Sequence, residues 1–187
     1  MRRALLLACT PLLVACAASP AANKDPKAPP ATPPRAAAKP LAWPGVPHLR
    51  HAGREYFSGQ PTEAGLRHAA KQGVRTVINL RKEPLPYEEA KLAKQLGLRY
   101  VRVPIDGRQF TAQDAAEFRA AIEAAKGPVL IHCHSGNRVG GMWTLYLIEH
   151  DKLSLKAALA QGRAAGLREP PTIARTKQVG AELEKRR

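Results

Sequence analysis

The chain has 187 residues, with 30 Lys and Arg against 15 Asp and Glu, so its formal net charge is +15. Once a proline-rich N-terminal part is set aside, this length is that of one domain with one core. The charge favours anionic partners, but the basic residues are scattered and are not interleaved with aromatic ones. The composition therefore predicts no specific nucleic-acid binding.

The first sixteen residues have the three parts of a secretory signal. Arg2 and Arg3 form the positive start, residues 4–13 the apolar core, and the sequence LVAC at 13–16 ends the segment. LVAC resembles the lipobox of bacterial lipoproteins, in which the cysteine is acylated. Residues 1–16 are therefore predicted to be a lipoprotein signal peptide with lipidation at Cys16. We expect an exported protein, anchored to a bacterial membrane (the outer membrane) and facing the periplasm.

A change of composition marks two further parts of the chain. Residues 17–44 are rich in Ala, Pro and Lys, which predicts an extended linker with little to bury. Residues 45–187 carry the patterns of a folded domain. That domain contains a single cysteine, Cys133, which has no internal disulfide partner. An exported domain that keeps one unpaired thiol is expected to use it chemically.

Strand and helix patterns alternate through this domain. β-Branched and apolar segments predict strands at 48–52, 55–58, 74–80, 98–104 and 129–133. Amphipathic segments with capping signals predict helices at 62–72, 86–96, 111–126, 154–165 and 172–185. Residues 139–150 are apolar almost all round, which predicts a helix in the middle of the domain. The pattern indicates an α/β fold with a mainly parallel central sheet and helices on both faces, whose ligand site lies where strands end.

The segment between Cys133 and Arg138 is the strongest candidate for a functional site. It follows a buried strand, contains Gly136, and leads into the apolar helix. Inward-turned amides, a helix N-terminus and a guanidinium would favour a thiolate and would bind a phosphate dianion. Cys133 is therefore predicted to be a nucleophile that forms a cysteinyl-phosphate, and Arg138 to hold phosphate oxygens. The predicted substrate-binding residues are His134, Ser135, Gly136, Asn137, Arg138 and Val139.

A departing alkoxide or phenoxide needs a proton from a neighbouring loop. Asp106 follows the strand that ends near Pro104 and is the predicted general acid. Its alternative role is that of a turn-forming aspartate. Asp114 is better explained as a helix-capping residue.

Several motifs resemble the cysteine-dependent tyrosine and dual-specificity phosphatases. The bacterial phosphatase-like family related to the beta-lactamase-hydrolase-associated domain is a closer match. Its look-alikes here are SGQP at 58–61, TVINLR at 76–81, SGNRVG at 135–140 and GRAAGL at 162–167. The resemblance implies a protein-tyrosine-phosphatase-like fold and a phosphorylated protein or small-molecule substrate, with phosphotyrosine or dual specificity as one option. It also implies the same roles for Cys133 and Arg138, and an acid on the loop of Asp106.

Two departures from that pattern keep other functions open. Four residues, not five, separate Cys133 from Arg138, and Val139 stands where the phosphatases have Ser or Thr, which assists departure of the thiolate. The four-residue spacing is also that of rhodanese sulfurtransferases. A third alternative is a module that binds phosphate with weak catalysis or none. No metal and no cofactor are expected, because no ligand cluster accompanies His132 and His134.

Overall fold

A computed structural model describes residues 35–186. The predicted signal peptide, Cys16 and most of the predicted linker lie outside these residues. Within them, the strands are β1 Lys39–Pro40, β2 Arg50–Ala52, β3 Glu55–Ser58, β4 Thr76–Asn79, β5 Arg99–Arg102 and β6 Val129–His132. The helices are α1 Glu63–Lys71, α2 Glu89–Gln95, α3 Ala112–Glu123, α4 Asn137–Glu149, α5 Leu155–Ala164 and α6 Pro170–Lys185. No helix among residues 35–186 is long and apolar enough to cross a bilayer.

The six strands form one mixed sheet in the order β1-β2-β3-β6-β4-β5. The pairs β3–β6, β6–β4 and β4–β5 are parallel, and the β1–β2 and β2–β3 pairs are antiparallel. Ser58 and Asn79 both lie opposite His132, so the carboxyl ends of β3, β4 and β6 are level. The predicted α/β fold with a mainly parallel sheet is confirmed, and Cys133 follows this level edge.

Alternate strand residues face opposite sides of the sheet and nucleate two apolar clusters. Val77 and Leu130 pack with residues of α1 and α2. Ile78 and Ile131 pack with residues of α3, α4, α5 and α6. Helices therefore cover both faces, as predicted. Helix α4 lies in the larger cluster, and all its residues from Asn137 to Ile148 are buried, which explains why its sequence is apolar almost all round.

Three of the differences from the predicted boundaries have a structural consequence. Helix α2 begins at Glu89, three residues after the predicted start at Pro86, because Glu89 and Tyr87 join a buried hydrogen-bond network. Helix α4 begins two residues before the predicted 139, so Arg138 belongs to its first turn. The packed region extends ahead of residue 45. Strand β1 pairs with β2, and Arg35 contacts Asp151 at 2.9 Å and Glu55 at 3.3 Å.

Candidate active site

The 133–138 loop connects β6 to α4 at the carboxyl edge of the sheet. Cys133 is 1% exposed and its amide donates to the carbonyl of Ser58 at 3.4 Å. Gly136 turns the chain into α4 with a φ of +86°, a conformation that glycine adopts without a steric penalty. The loop therefore places a buried cysteine directly before the N-terminus of a central helix.

The amides of this loop are directed toward the sulfur side. The amide of Gly136 donates to Cys133 Sγ at 3.1 Å. The carbonyl of His134 accepts from the amide of Gln60 at 3.0 Å, and that of Ser135 from the Arg168 guanidinium at 3.0 Å. Since the C=O and N–H of a trans peptide point in opposite directions, carbonyls held outside the loop turn the following amides inward. The Gly136 amide is therefore one donor of the amide-lined nest that the sequence predicts around the sulfur.

Arg138 is held in place by three acceptors at the rim of the loop. Its NH1 donates to the carbonyls of Ile105 at 3.0 Å and Leu80 at 3.4 Å, and NH2 donates to Glu83 Oε2 at 3.0 Å. Among residues 35–186, no acceptor bonds its Nε, so this N–H is available for an oxyanion. Partial burial raises the pKa of Glu83, but the hydrogen bond from Arg138, a backbone hydrogen bond and the charges of Arg138 and Arg81 together lower it below the ordinary value. Glu83 is therefore a charged partner that orients the guanidinium.

Asp106 lies across the cavity mouth from the loop, after β5. Its carboxylate accepts from the amide of Arg108 at 3.0 Å and contacts Lys82 Nζ at 3.3 Å. The backbone bond from Arg108, followed by the Lys82 contact, lowers the pKa of Asp106. The neighbouring Gly107 lies against the Arg138 side chain, since a Cβ there would be 3.2 Å from Arg138 Cγ. Asp106 and Arg138 thus belong to one site, and Asp106 is mostly ionised at neutral pH.

Part of the 133–138 loop, together with Asp106, lines an open cavity of about 370 Å³. The cavity is lined by Glu83, Asp106, Gly107, Arg108, His134, Ser135, Asn137, Arg138, Glu169, Pro171 and Thr172. Four of the six predicted substrate-binding residues are in this set. Of the other two, Gly136 lies behind the surface and contacts the sulfur, whereas Val139 is fully buried in the core.

The sequence analysis assigned Asn137 to substrate binding, but its side chain makes structural contacts. It is 4% exposed, and its Nδ2 donates to Thr172 Oγ1 at 2.6 Å. Its Oδ1 accepts from the amides of Arg168 at 2.9 Å and Glu169 at 3.0 Å. Asn137 therefore fastens the connection between α5 and α6 to the loop, and this connection forms one wall of the cavity.

A buried carboxylate beneath the loop was not predicted from the sequence. Glu89 is fully buried, and its two oxygens accept hydrogen bonds from Gln60 Nε2 at 2.8 Å, Asn79 Nδ2 at 2.7 Å, Tyr87 OH at 3.1 Å and Tyr100 OH at 2.8 Å. His132 Nε2 lies 3.2 Å from Glu89 Oε2. Burial raises the pKa of Glu89, but the contacts with His132, Tyr100 and Gln60 lower it to about 2. Burial, followed by the negative charge of Glu89, raises the pKa values of Tyr87 and Tyr100.

This network ties together the ends of three strands. Asn79 ends β4, His132 ends β6, and Gln60 follows β3. Gln60 also accepts from Arg81 NH1 at 3.0 Å through its side chain. The side chain of Gln60 donates to Glu89, and its backbone amide donates to the carbonyl of His134. Through Gln60, Glu89 therefore supports the loop from below. The sequence offered one signal, a run of polar residues where the strands end, but it did not identify the central acceptor.

Comparison with known proteins gives the family. Residues 54–148 match the family model described as "Beta-lactamase hydrolase-like protein, phosphatase-like domain". A beta-lactamase hydrolase-like protein of Xylella fastidiosa strain Temecula1 is 33% identical over 116 residues, which are 59% of this chain and 27% of that protein. The chain thus spans about a quarter of the length of the curated relatives it matches.

Solved structures agree with this match. The DUF442 protein of Shewanella putrefaciens CN-32 is 29% identical, covers 74% of this chain and 95% of its own, and has a TM-score of 0.62. Tk-PTP in its active form is 27% identical, with 78% and 100% covered and a TM-score of 0.65. P. aeruginosa TpbA, solved also in complex with pTyr, has a TM-score of 0.66 at 21% identity over 80% of this chain and 95% of its own, and shares the fold. The resemblance predicted from the motifs is confirmed, and this chain belongs to the phosphatase-like domain family of beta-lactamase hydrolase-like proteins, within the cysteine-dependent phosphatases.

Proposed function

We propose that this protein hydrolyses phosphate monoesters through a cysteinyl-phosphate on Cys133. The observation that carries the proposal is the amide of Gly136 donating to Cys133 Sγ at 3.1 Å, in a loop whose other end holds Arg138. The Gly136 amide and the nearby Arg138 guanidinium, together with the other loop amides, supply hydrogen-bond donors for the oxygens of a phosphate group attacked by the sulfur. Membership of a phosphatase-like family supports the same reaction class.

The reaction takes two displacements at phosphorus. In the first, the Cys133 thiolate forms an S–P bond while the P–O bond to the alcohol breaks, and protonated Asp106 gives its proton to the leaving oxygen. In the second, water attacks phosphorus, the S–P bond breaks, and the Asp106 carboxylate accepts a proton from the water. Inorganic phosphate leaves, and the thiolate and protonated Asp106 are restored. No metal is required by this sequence of steps.

Val139 affects the second displacement. It is fully buried and carries no hydroxyl that could assist departure of the thiolate. We therefore propose that breakdown of the cysteinyl-phosphate is slow, which predicts a burst of alcohol release before steady-state turnover. A chain that bound phosphate but gave neither burst nor turnover would be a phosphate-binding module instead.

Phosphotyrosine and dual specificity remain part of the proposal. TpbA shares the fold and was solved with pTyr, and PTPMT1, at 19% identity and a TM-score of 0.58, was solved with PI(5)P. Both ligands carry a phosphate monoester, which supports a phosphorylated substrate for this chain, either a protein or a small molecule.

The test compares phosphate release from para-nitrophenyl phosphate with thiocyanate formation from thiosulfate and cyanide. The wild type is expected to release phosphate and to form no thiocyanate. Cys133→Ser should abolish release while binding inorganic phosphate within about threefold of the wild type, because the amide nest is unchanged. Arg138→Lys should lower kcat/KM about 100-fold, and Arg163→Lys, an exposed arginine on α5, should not. Turnover that survives Cys133→Ser overturns the proposal.

Export and membrane attachment are proposed from residues 1–16 alone. In a bacterial host, the full chain should incorporate labelled palmitate and fractionate with membranes. Cys16→Ala should lose both properties, whereas Cys9→Ala should keep them. Labelling that persists in Cys16→Ala would contradict lipidation at this residue.

A further inference from the structure

The cavity wall offers little apolar surface for the alcohol part of a substrate. Among the described residues, its lining includes no Leu, Ile, Val, Met, Phe, Tyr or Trp. The ring of Pro171 and the imidazole of His134 are the only cyclic side chains there. An aromatic ring gains binding free energy roughly in proportion to the apolar area it buries, so a phenyl group gains little here.

Glu169 lines the cavity beside the 133–138 loop. Its amide is held by Asn137 Oδ1 at 3.0 Å, and its Oε1 lies 3.5 Å from Ser135 Oγ, at the edge of the 133–138 loop. Among residues 35–186, its Oε2 accepts no hydrogen bond. A carboxylate only accepts hydrogen bonds, so this exposed oxygen fits a donor on the ligand.

Two further carboxylates of the cavity already have protein partners. Glu83 contacts Arg138 at 3.0 Å, and Asp106 contacts Lys82 at 3.3 Å. Both residues line the same cavity as Glu169, so a ligand bound there meets three carboxylates. The cavity lining therefore combines Arg138 and part of the 133–138 loop, which would bind the phosphate, with carboxylates that accept hydrogen bonds.

We propose that the preferred substrates are alkyl phosphate monoesters whose alcohol part carries hydrogen-bond donors, such as hydroxyl or ammonium groups. The inference rests on the proposed phosphatase activity and assigns the alcohol part of its substrate. The phosphate binds the loop and Arg138, and the donors bind the Glu169 carboxylate. An ester with a bare alkyl or aromatic group makes no hydrogen bond to this carboxylate, so it lacks the affinity that a donor adds.

Four esters with alkyl leaving groups test this preference. n-Propyl phosphate is the reference, glycerol 3-phosphate adds hydroxyls, 3-aminopropyl phosphate adds an ammonium group, and benzyl phosphate adds an apolar ring. We expect kcat/KM for at least one donor-bearing ester to exceed that of the reference about tenfold, and benzyl phosphate to stay within about threefold. A larger gain for benzyl phosphate than for both donor-bearing esters overturns the inference.

Glu169→Gln tests the residue assigned to this preference. Loss of the charge should reduce the advantage of 3-aminopropyl phosphate about fivefold, while the glycerol 3-phosphate advantage falls less because the amide oxygen still accepts. Comparison of the two donor-bearing esters thus shows whether Glu169 prefers an ammonium group or a hydroxyl group on the ligand. n-Propyl phosphate, which carries no donor in its alcohol part, is the common reference for both ratios. Glu182→Gln, an exposed glutamate of α6 remote from this cavity, is the matched control. Unchanged ester ratios in Glu169→Gln contradict the role of Glu169.

Binding separates this inference from the proposed reaction. Calorimetric titration of Cys133→Ser with the same four esters measures the preference without turnover. Absence of phosphate release from every ester, para-nitrophenyl phosphate included, refutes the phosphatase proposal. The order of the dissociation constants then still decides the ligand class. Tighter binding of benzyl phosphate than of both donor-bearing esters refutes the inference by itself.

Discussion

Replacing Glu89 with glutamine tests the buried carboxylate that supports the 133–138 loop. At pH 7 the ionised Glu89 accepts hydrogen bonds from Gln60, Asn79, Tyr87 and Tyr100 and contacts His132. Glutamine has the same shape but directs an NH2 group at some of these donors. The substitution therefore removes the charge and leaves buried donors unpaired.

The magnitude follows from the pKa. Glu89 has a pKa of about 2 in place of the ordinary 4.5. Each unit corresponds to 1.36 kcal/mol, so ionised Glu89 contributes about 3 kcal/mol to the free energy of unfolding. Because the folded-state pKa is the lower one, this contribution is present above pH 4.5 and is lost as pH falls toward 2. Linkage predicts that about 2 kcal/mol of it has gone by pH 3.

Urea unfolding at pH 7, 5 and 3 measures this contribution. Glu89→Gln should be about 3 kcal/mol less stable than the wild type at pH 7, and the difference should narrow to about 1 kcal/mol at pH 3. Glu88→Gln is the matched control, since Glu88 is exposed and makes no side-chain cap; its stability should change by less than about 0.5 kcal/mol. A difference for Glu89→Gln that is below about 1 kcal/mol at pH 7, or that does not vary with pH, refutes the reasoning.

Substitutions at three other positions address the loop, the acid and the packing of α4. Asn137→Ala should lower the free energy of unfolding in urea by about 2–3 kcal/mol, because it leaves two amides and a hydroxyl without their partner. Asn137→Asp keeps the acceptor and should lower it less. Equal losses in the two variants would contradict this. Asp106→Asn should lower kcat/KM for an alkyl ester about 100-fold at pH 5. The pKa of Asp106 is below its ordinary value, so its acid form declines as pH rises and the ratio of wild type to variant should fall toward pH 8; a constant ratio would exclude it as the acid. Gly140→Ala should cost about 3 kcal/mol by thermal unfolding, since its Cβ would lie 2.2 Å from the backbone nitrogen of Leu167; a cost below about 1 kcal/mol would show that this contact is loose.

The parts of the fold that local pattern determines could be predicted from the sequence. The apolar run of α4 requires a buried helix, and the β-branched segments before Asn79 and Cys133 require buried strands, because few other arrangements hide such surfaces. The active-site loop was also predictable, since a lone cysteine, a glycine and an arginine follow one of these strands within six residues.

Features that depend on contacts between residues far apart in the sequence could not be predicted in this way. Glu89 acquires its role from side chains that are separated along the chain and meet only when three strand ends are level. The local sequence predicted a helix that starts at Pro86. In the structure α2 begins at Glu89, because Tyr87 and Glu89 take part in this network. Strand β1 was likewise missed. Its two residues pair with β2, but they lie in an Ala- and Pro-rich segment that has no strand pattern.

Isolation of the phosphorylated enzyme tests the central claim most directly. The wild type is mixed with para-nitrophenyl phosphate, quenched in acid within the burst, digested, and analysed by mass spectrometry. The slow departure of thiolate expected beside Val139 should allow the intermediate to accumulate. The account predicts one added phosphoryl group on the peptide that contains Cys133, and none in Cys133→Ser. Phosphate release at the wild-type rate with no adduct on this peptide, or with an adduct on another residue, would contradict it.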